Sequence, residues 1–334
     1  MFKEAGEAAR AVGDGVRGNK RVIAALGARL RARPPRAVLT CARGSSDHAA
    51  TYGRYLIESQ LGVLTSSASL SVSSVYGATP ALDETLYLAI SQSGRSPDLI
   101  ACVEAARAKG AFVVALVNDV NSPLAALSHE VVALSAGPEV SIAATKSFIA
   151  SLAALAHLVA AWRGDDLLMR DIALLPSQLE QAWALDWSSA VQHLLTPRNM
   201  FVIGRGVGLA VAQEAALKLK ETCGLHAEAF SAAEVMHGPL ALVCKGFPAL
   251  FLAQNDATCA SMTETAQTCA ARGALVLYAG RAALQNTLPS IPANPLLEPI
   301  LLAQSFYRMA NALALARGFD PDRPPHLSKV TETV

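Results

Sequence analysis

Short, continuous apolar runs alternate along this chain with longer stretches in which apolar residues recur every three or four positions. Continuous runs read as strands buried on both faces, and the longer period reads as amphipathic helix, so the alternation predicts parallel sheets covered by helices. Strands are expected at Ala37–Cys41, Leu86–Ile90, Phe112–Val117 and Glu130–Leu134 in the first half. In the second half they are expected at Met200–Ile203, Ala249–Ala253, Ala274–Tyr278 and Ser290–Ile291. Helices are expected from Pro97 to Lys109, through Phe148–Trp162, around Pro176–Leu185 and after Gly206. The fold class is therefore α/β, with two doubly wound, flavodoxin-like domains of three layers, α/β/α.

The two halves repeat one plan. Ala37-Val-Leu-Thr-Cys-Ala-Arg43-Gly44-Ser45 aligns with Asn199-Met-Phe-Val-Ile-Gly-Arg205-Gly206-Val207, an offset of 205 − 43 = 162 residues. Each copy is an apolar strand running into an Arg-Gly turn and then a helix, the mark of an internal duplication. At the same offset Ser91-Gln92-Ser93-Gly94 falls on Ala253-Gln254-Asn255-Asp256. The second copy has lost the two serines and gained a charge that repels phosphate. The expected organisation is a first domain over 1–165, a linker over 166–188, a second domain over 189–320 and a tail over 321–334.

Composition narrows the possibilities. Hydrophobic residues make up 52% of the 334 positions and charged residues 16%, enough for two cores and for some surface hidden in an oligomer. The net charge is +1 and no basic cluster stands out, which argues against nucleic acid as a partner. The Phe148–Trp162 stretch has 15 residues, short of the roughly 20 that span a bilayer, and the N-terminus has no signal-peptide pattern. A cytoplasmic protein is expected, with no membrane partner. The six cysteines (41, 102, 223, 244, 259 and 269) form no CxxC pair, so they read as reduced core residues, and no metal or cofactor is expected.

Ser91-Gln92-Ser93-Gly94-Arg95-Ser96-Pro97 joins a strand to a helix and carries three hydroxyls and a glycine. Amides at a helix start carry partial positive charge, serines add neutral donors, and glycine allows close backbone approach, so the loop suits a phosphate. It equally suits an ordinary polar turn, and Arg95 points either to an anion or to solvent. In the second half, Glu214, Lys218 and Glu221 fall at i, i+4 and i+7, on one face of the helix after Gly206. Such a row is either a surface ion-pair stripe or a proton-transfer site at the ligand-binding edge of the sheet. His237 lies in Glu-Val-Met-His-Gly-Pro, and Lys329 in a tail that composition alone leaves solvated.

The ordered series resembles a known family. Arg43-Gly-Ser45-Ser46, Ser91-Gln-Ser-Gly94, Ala143-Ala-Thr-Lys146, Ala216-Leu-Lys-Leu-Lys-Glu221, His226-Ala-Glu228, Glu234-Val-Met-His237-Gly-Pro-Leu-Ala-Leu242 and Pro325-His-Leu-Ser-Lys329 look like the double sugar-isomerase (SIS) domain of glutamine:fructose-6-phosphate aminotransferase. The likeness spans nearly the whole chain. It implies that Ser45, Ser46, Ser91, Gln92, Ser93 and Ser96 hold a sugar phosphate, with Ala144, Glu139 and Glu214 near the rest of the sugar. For Glu139, a helix-start acid is the alternative. The resemblance further implies that Glu221 moves a proton between C1 and C2, Lys218 supports developing charge, His237 opens the ring, and Lys329 forms a Schiff base or covers the sugar. The Pro-Pro-His-Leu-Ser-Lys ending departs from the family's commoner Pro-Arg-Asn-Leu-Ala-Lys, with the spacing to the terminus kept.

No glutaminase half precedes the likeness, so a free-standing glucosamine-6-phosphate deaminase is expected: a metal-free homodimer with His237 reaching the neighbouring subunit's site. Related expectations are a deaminase, deglycase or isomerase for another phosphorylated amino sugar. From a different class comes a non-catalytic sugar-phosphate sensor.

Overall fold

The computed structural model describes residues 1–78, 80–282 and 284–329, and these form two compact units. The first contains Arg10–Glu139, Lys146–Leu175 and residues 328–329; the second contains Met1–Ala9, Val140–Thr145 and Pro176–Leu327.

The first unit is built on five parallel strands: β1 (Ala37–Cys41), β2 (Thr65–Ser67), β3 (Thr85–Ser91), β4 (Phe112–Val117) and β5 (Glu130–Ala133), in the order β2-β1-β3-β4-β5. The second has β6 (Asn199–Gly204), β7 (His226–Ser231), β8 (Pro248–Leu252), β9 (Leu275–Ala279) and β10 (Thr287–Leu288), in the order β10-β9-β8-β6-β7. Renumbered within its own unit and read from the other edge, the second order is also 2-1-3-4-5. The duplication read from the Arg-Gly turns is thus a duplication of topology, and all strand pairs are parallel.

The central strands β3 and β8 are buried at every residue, which is why they stand out as unbroken apolar runs. The edge strands behave differently. Thr65–Ser67 is three residues long and polar, His226–Ser231 mixes polar and apolar residues, both are partly exposed, and neither announces itself by periodicity. The last strand also differs from expectation. It lies at Thr287–Leu288, pairing with Tyr278 and Ala279, and not at Ser290–Ile291. Pro289 and Pro292, which have no N–H to give to a ladder, flank the Ser290–Ile291 pair.

The expected buried helix is Lys146–Arg163, enclosed almost all round and packed against the Lys20–Ala32 and Ser45–Leu61 helices. Gly27 lets the first of these come close, since a Cβ there would stand 2.6 Å from the Ala161 carbonyl oxygen. The helix expected at Pro176–Leu185 is the second half of a longer one, Asp166–Ala184, that runs through Pro176. Its true start is marked by Asp165, whose carboxylate accepts from the Leu168 amide at 2.9 Å.

Candidate active site

A sheet of order 2-1-3-4-5 reverses its winding between β1 and β3, and the loops leaving the carboxyl ends of those two strands flank a crevice where such sheets bind ligands. In the first unit these loops carry the expected serines. After β1 the chain turns at Gly44, with φ +54°, and Ser45 and Ser46 open the Ser45–Leu61 helix, both half-buried. After β3, the buried Ser91 hydroxyl accepts the Gly94 amide at 3.0 Å, and Ser93 Oγ accepts the Arg95 amide at 3.3 Å. Gln92 and Ser96 are half-buried, and Ser96 precedes Pro97 at the start of the Pro97–Ala108 helix.

Gly94 is the pivot of this corner. Its φ is +63°, and a Cβ there would stand 2.2 Å from Ser122 Oγ. The residue is fixed as glycine by conformation and by space. Arg95 goes to neither expected place alone: its half-exposed guanidinium pairs with Asp119 at 2.8 Å, which holds the Asp119 carboxyl below the usual range.

Asp98, missed in the sequence, ties the two loops together. Its fully buried carboxylate accepts from Arg43 Nε at 2.9 Å and from the Leu99 amide at 2.8 Å. An acid in the first turn of an amphipathic helix gives no sequence signal for such a role, because it reads as a favourable helix-dipole partner.

Glu139 and Lys329 also belong to the first unit. Glu139 is buried and accepts from the Ser147 amide at 3.2 Å and hydroxyl at 2.6 Å, so it does act as a helix-start acid for Lys146–Arg163. It also faces Lys329, whose Nζ lies 3.6 Å from Glu139 Oε2. The tail lysine is a partly buried, ion-paired group.

The second unit holds the charged row on the Leu209–Cys223 helix. Glu214 and Lys218 are almost fully buried, and the Glu221 side chain is 20% exposed. Lys218 Nζ hydrogen-bonds Glu221 Oε2 and lies 3.6 Å from Glu214 Oε1. Tyr307, from the Glu298–Ala316 helix, donates its hydroxyl to Glu214 Oε1 at 2.9 Å. A surface stripe is ruled out by this burial. Charges so deep are stable only when paired and hydrogen-bonded, and removing one partner typically costs about 3–5 kcal/mol.

The row runs from Glu214, just before the middle of its helix, to Glu221 in the last turn, away from the β6 carboxyl end. Twelve residues separate Leu209 from Glu221, a rise of about 18 Å at 1.5 Å per residue. The sheet-edge argument therefore does not place Glu221; its ion pair with the buried Lys218 does. His237 is exposed on the turn after Ala232–Val235, beside Gly238 at φ +127°, and takes part in none of these hydrogen bonds. Ala144 is half-buried in the 140–145 segment, which Glu4 holds by accepting the Val140 amide at 2.5 Å and the Ser141 amide at 3.2 Å. Among the described residues no metal-binding cluster of His, Cys, Asp and Glu occurs, and no helix is long and apolar enough to cross a membrane.

Two duplicated sheets with loop-borne polar groups at a switch point define a tandem, doubly wound α/β protein. The chain belongs to the SIS domain family, which it matches over residues 33–161 and 193–279. It is 35% identical, over 363 aligned positions, to the glutamine–fructose-6-phosphate aminotransferase of Symbiobacterium thermophilum, covering 98% of this chain and 58% of that protein. Among solved structures it is similar to a chain from Silicibacter pomeroyi DSS-3, described provisionally as a phosphosugar isomerase. That similarity has a TM-score of 0.92 and 44% identity, and covers 96% of this chain and 99% of the other. It shares its fold with a glucosamine-6-phosphate deaminase from Thermotoga maritima, at TM-score 0.75 and 21% identity, with 97% of this chain and 100% of the other covered. The chain spans 58% of the length of the aminotransferase it matches.

Proposed function

We propose that this chain is a glucosamine-6-phosphate deaminase, converting glucosamine 6-phosphate and water to fructose 6-phosphate and ammonia. The observation that carries this reading is the buried Glu214–Lys218–Glu221 row with its one partly exposed carboxylate. Glu221 is built to take a proton from C2 of an open-chain amino sugar and return it to C1, with Lys218 beside it to stabilise charge developing on oxygen. The product of that transfer is an imine, which water hydrolyses to the ketose and ammonia. Ring opening falls to His237, whose imidazole carries both a donor and an acceptor nitrogen, contributed across a homodimer. The neutral serine loops of the first unit, Ser45 and Ser46 with Ser91–Ser96, suit the phosphate end, and Lys329 suits the carbonyl or the closing of the tail. The same residues also suit other phosphorylated amino sugars.

The test is to incubate the purified chain with glucosamine 6-phosphate and follow ammonia and fructose 6-phosphate together. Equal release of both supports the deaminase; tight binding without turnover makes the chain a sensor. Glu221→Gln should lower kcat by about 10²–10⁴, the usual worth of a general base, while leaving sugar-phosphate binding intact. Loss of both together would contradict the role given to Glu221.

A further inference from the structure

The corner that carries the serines also carries two arginines, and the fold treats them differently. Arg95 is satisfied at the surface, where its Nη2 pairs with the partly exposed Asp119. Arg43, two residues past the end of β1, pairs inward instead. Its Nε donates to Asp98 Oδ2 at 2.9 Å, and the Asp98 side chain is fully buried while that of Arg43 is 54% exposed. Only the Nε edge of the guanidinium is used. Among the described residues its two Nη groups have no hydrogen-bond partner, so the outer edge of a planar, permanently charged fork stays available.

The residues on either side fix where that fork lies. Arg43 leads directly into Gly44 and the Ser45–Leu61 helix, and its carbonyl accepts the Ser46 amide at 3.1 Å. Asp98 is the second residue of the Pro97–Ala108 helix, two positions past Ser96. The ion pair therefore crosses the β1/β3 switch point between the two sets of serines, at the starts of two helices whose amides add partial positive charge. Asp98 also accepts the Leu99 amide of its own helix start, at 2.8 Å. Its charge is buried and compensated, and an anion arriving from solvent meets the exposed guanidinium.

The second unit supplies a control. At the offset of 162 residues Arg43 falls on Arg205, Asp98 falls on Ala260, and the helices that start at Pro97 and Cys259 coincide. The duplicate keeps the arginine and lacks its tether. A tie needed only to hold strand-to-helix turns together would be needed in both copies, since their topology is the same. It occurs in the copy whose loop has kept its hydroxyls.

We infer that Arg43 is the phosphate-binding cation of the β1/β3 crevice and that Asp98 is the positioning residue that holds its guanidinium there. This role rests on the reading of the serine loops as the phosphate end of the site. Serine hydroxyls alone serve a phosphate and a free sugar hydroxyl alike, because they form neutral hydrogen bonds with either. A guanidinium separates the two, since its bonds to phosphate oxygens are charge-assisted and its fork matches two of them at once. The buried carboxylate on Nε orients that fork. The pair thus makes the site selective for a phosphorylated sugar over the same sugar without its phosphate.

The test titrates the full-length chain calorimetrically with glucosamine 6-phosphate, glucosamine and inorganic phosphate. In Arg43→Gln, affinity for glucosamine 6-phosphate should fall about thirtyfold, the equivalent of ~2 kcal/mol for hydrogen bonding to a charged group, and affinity for glucosamine should hold. That variant leaves Asp98 buried without its cation, so Arg43→Gln combined with Asp98→Asn is measured beside it and should show the same selective loss in a folded chain. Asp98→Asn alone keeps the cation untethered and should lose less. Arg43→Lys keeps the charge without the fork and should fall between wild type and Arg43→Gln. Equal losses for both sugars would make the pair a structural tie and overturn the inference. So would an unchanged preference for the phosphorylated sugar in the double variant. A chain that turns over glucosamine 6-phosphate just as selectively without Arg43 keeps the function proposed above and loses this role. A chain without turnover, whose binding of inorganic phosphate vanishes with Arg43, loses that function and keeps the role. Failure of the wild-type chain to bind either phosphate would sink both.

Discussion

The loop after β3 and its duplicate after β8 occupy the same place in the same topology and solve the same problem in opposite ways. In the first, the amides of Gly94 and Arg95 go to the neutral hydroxyls of Ser91 and Ser93. In the second, carboxylates take over. Asp256 accepts the Thr258 amide at 2.8 Å and hydroxyl at 2.5 Å, and Glu298 accepts the Asn255 amide at 2.6 Å while pairing with Arg281 at 3.0 Å. Even Gln254, the counterpart of Gln92, is buried with its Nε2 in reach of the Arg205 carbonyl, Asp256 and Thr258. A duplicated frame therefore keeps its amide-rich corner in both copies. The difference lies in whether the chain's own anions or its neutral hydroxyls satisfy that corner, and only the neutral copy suits an anion from outside.

Substitutions that exchange the two solutions break or sharpen this contrast. The largest effect is expected from Ser93→Asp, which carries a carboxylate into the first loop. Two unit charges about 4 Å apart near a protein surface repel by about 4 kcal/mol, so affinity for glucosamine 6-phosphate should fall about 10³-fold in a calorimetric titration. A change under tenfold would mean that the loop does not hold the phosphate. Next comes Asp256→Ala, which removes the acceptor of the Thr258 amide and hydroxyl just ahead of the Cys259–Ala271 helix. It should cost about 1.5–3 kcal/mol in urea unfolding and leave affinity untouched. Loss of affinity there would show that the second loop also serves the ligand. Ser93→Ala should do the reverse, costing about 1 kcal/mol of binding, roughly fivefold, with little change in unfolding.

The smallest contrast concerns acid. His157 is buried in the Lys146–Arg163 helix of the first unit, and burial lowers its pKa. The unfolded chain protonates this residue near pH 6.5 while the folded chain resists, so its contribution to stability is complete above that pH and drains away as pH falls towards the folded value. Hydrogen exchange across the Lys146–Arg163 helix should weaken between pH 7 and about pH 5.5. His157→Leu should flatten that change; an unaltered slope would place its origin elsewhere.

Much of this was legible in the chain. The central strands could be read because burial on both faces leaves continuous runs without charge, Leu86–Ile90 and Ala249–Leu252, and the duplication because the Arg43-Gly44 and Arg205-Gly206 turns need the same left-handed glycine, at φ +54° and +57°. The edge strands β2 and β7 were not legible, since a half-exposed strand tolerates Thr, Ser, His and Glu. Within the site, spacing placed Glu214, Lys218 and Glu221 on one face of a helix, yet it could not distinguish a solvated stripe from a buried triad.

Sequence by itself determined the α/β class, the tandem plan, the loss of serines from the second loop and the family likeness, because local periodicity and turn chemistry act over neighbouring residues. Only the tertiary structure decided that Tyr307 satisfies Glu214 from 93 residues away and that Asp98 ties the β1 and β3 loops through Arg43. Those facts depend on which helix faces are brought together when the sheets are covered, and no spacing along the chain encodes them.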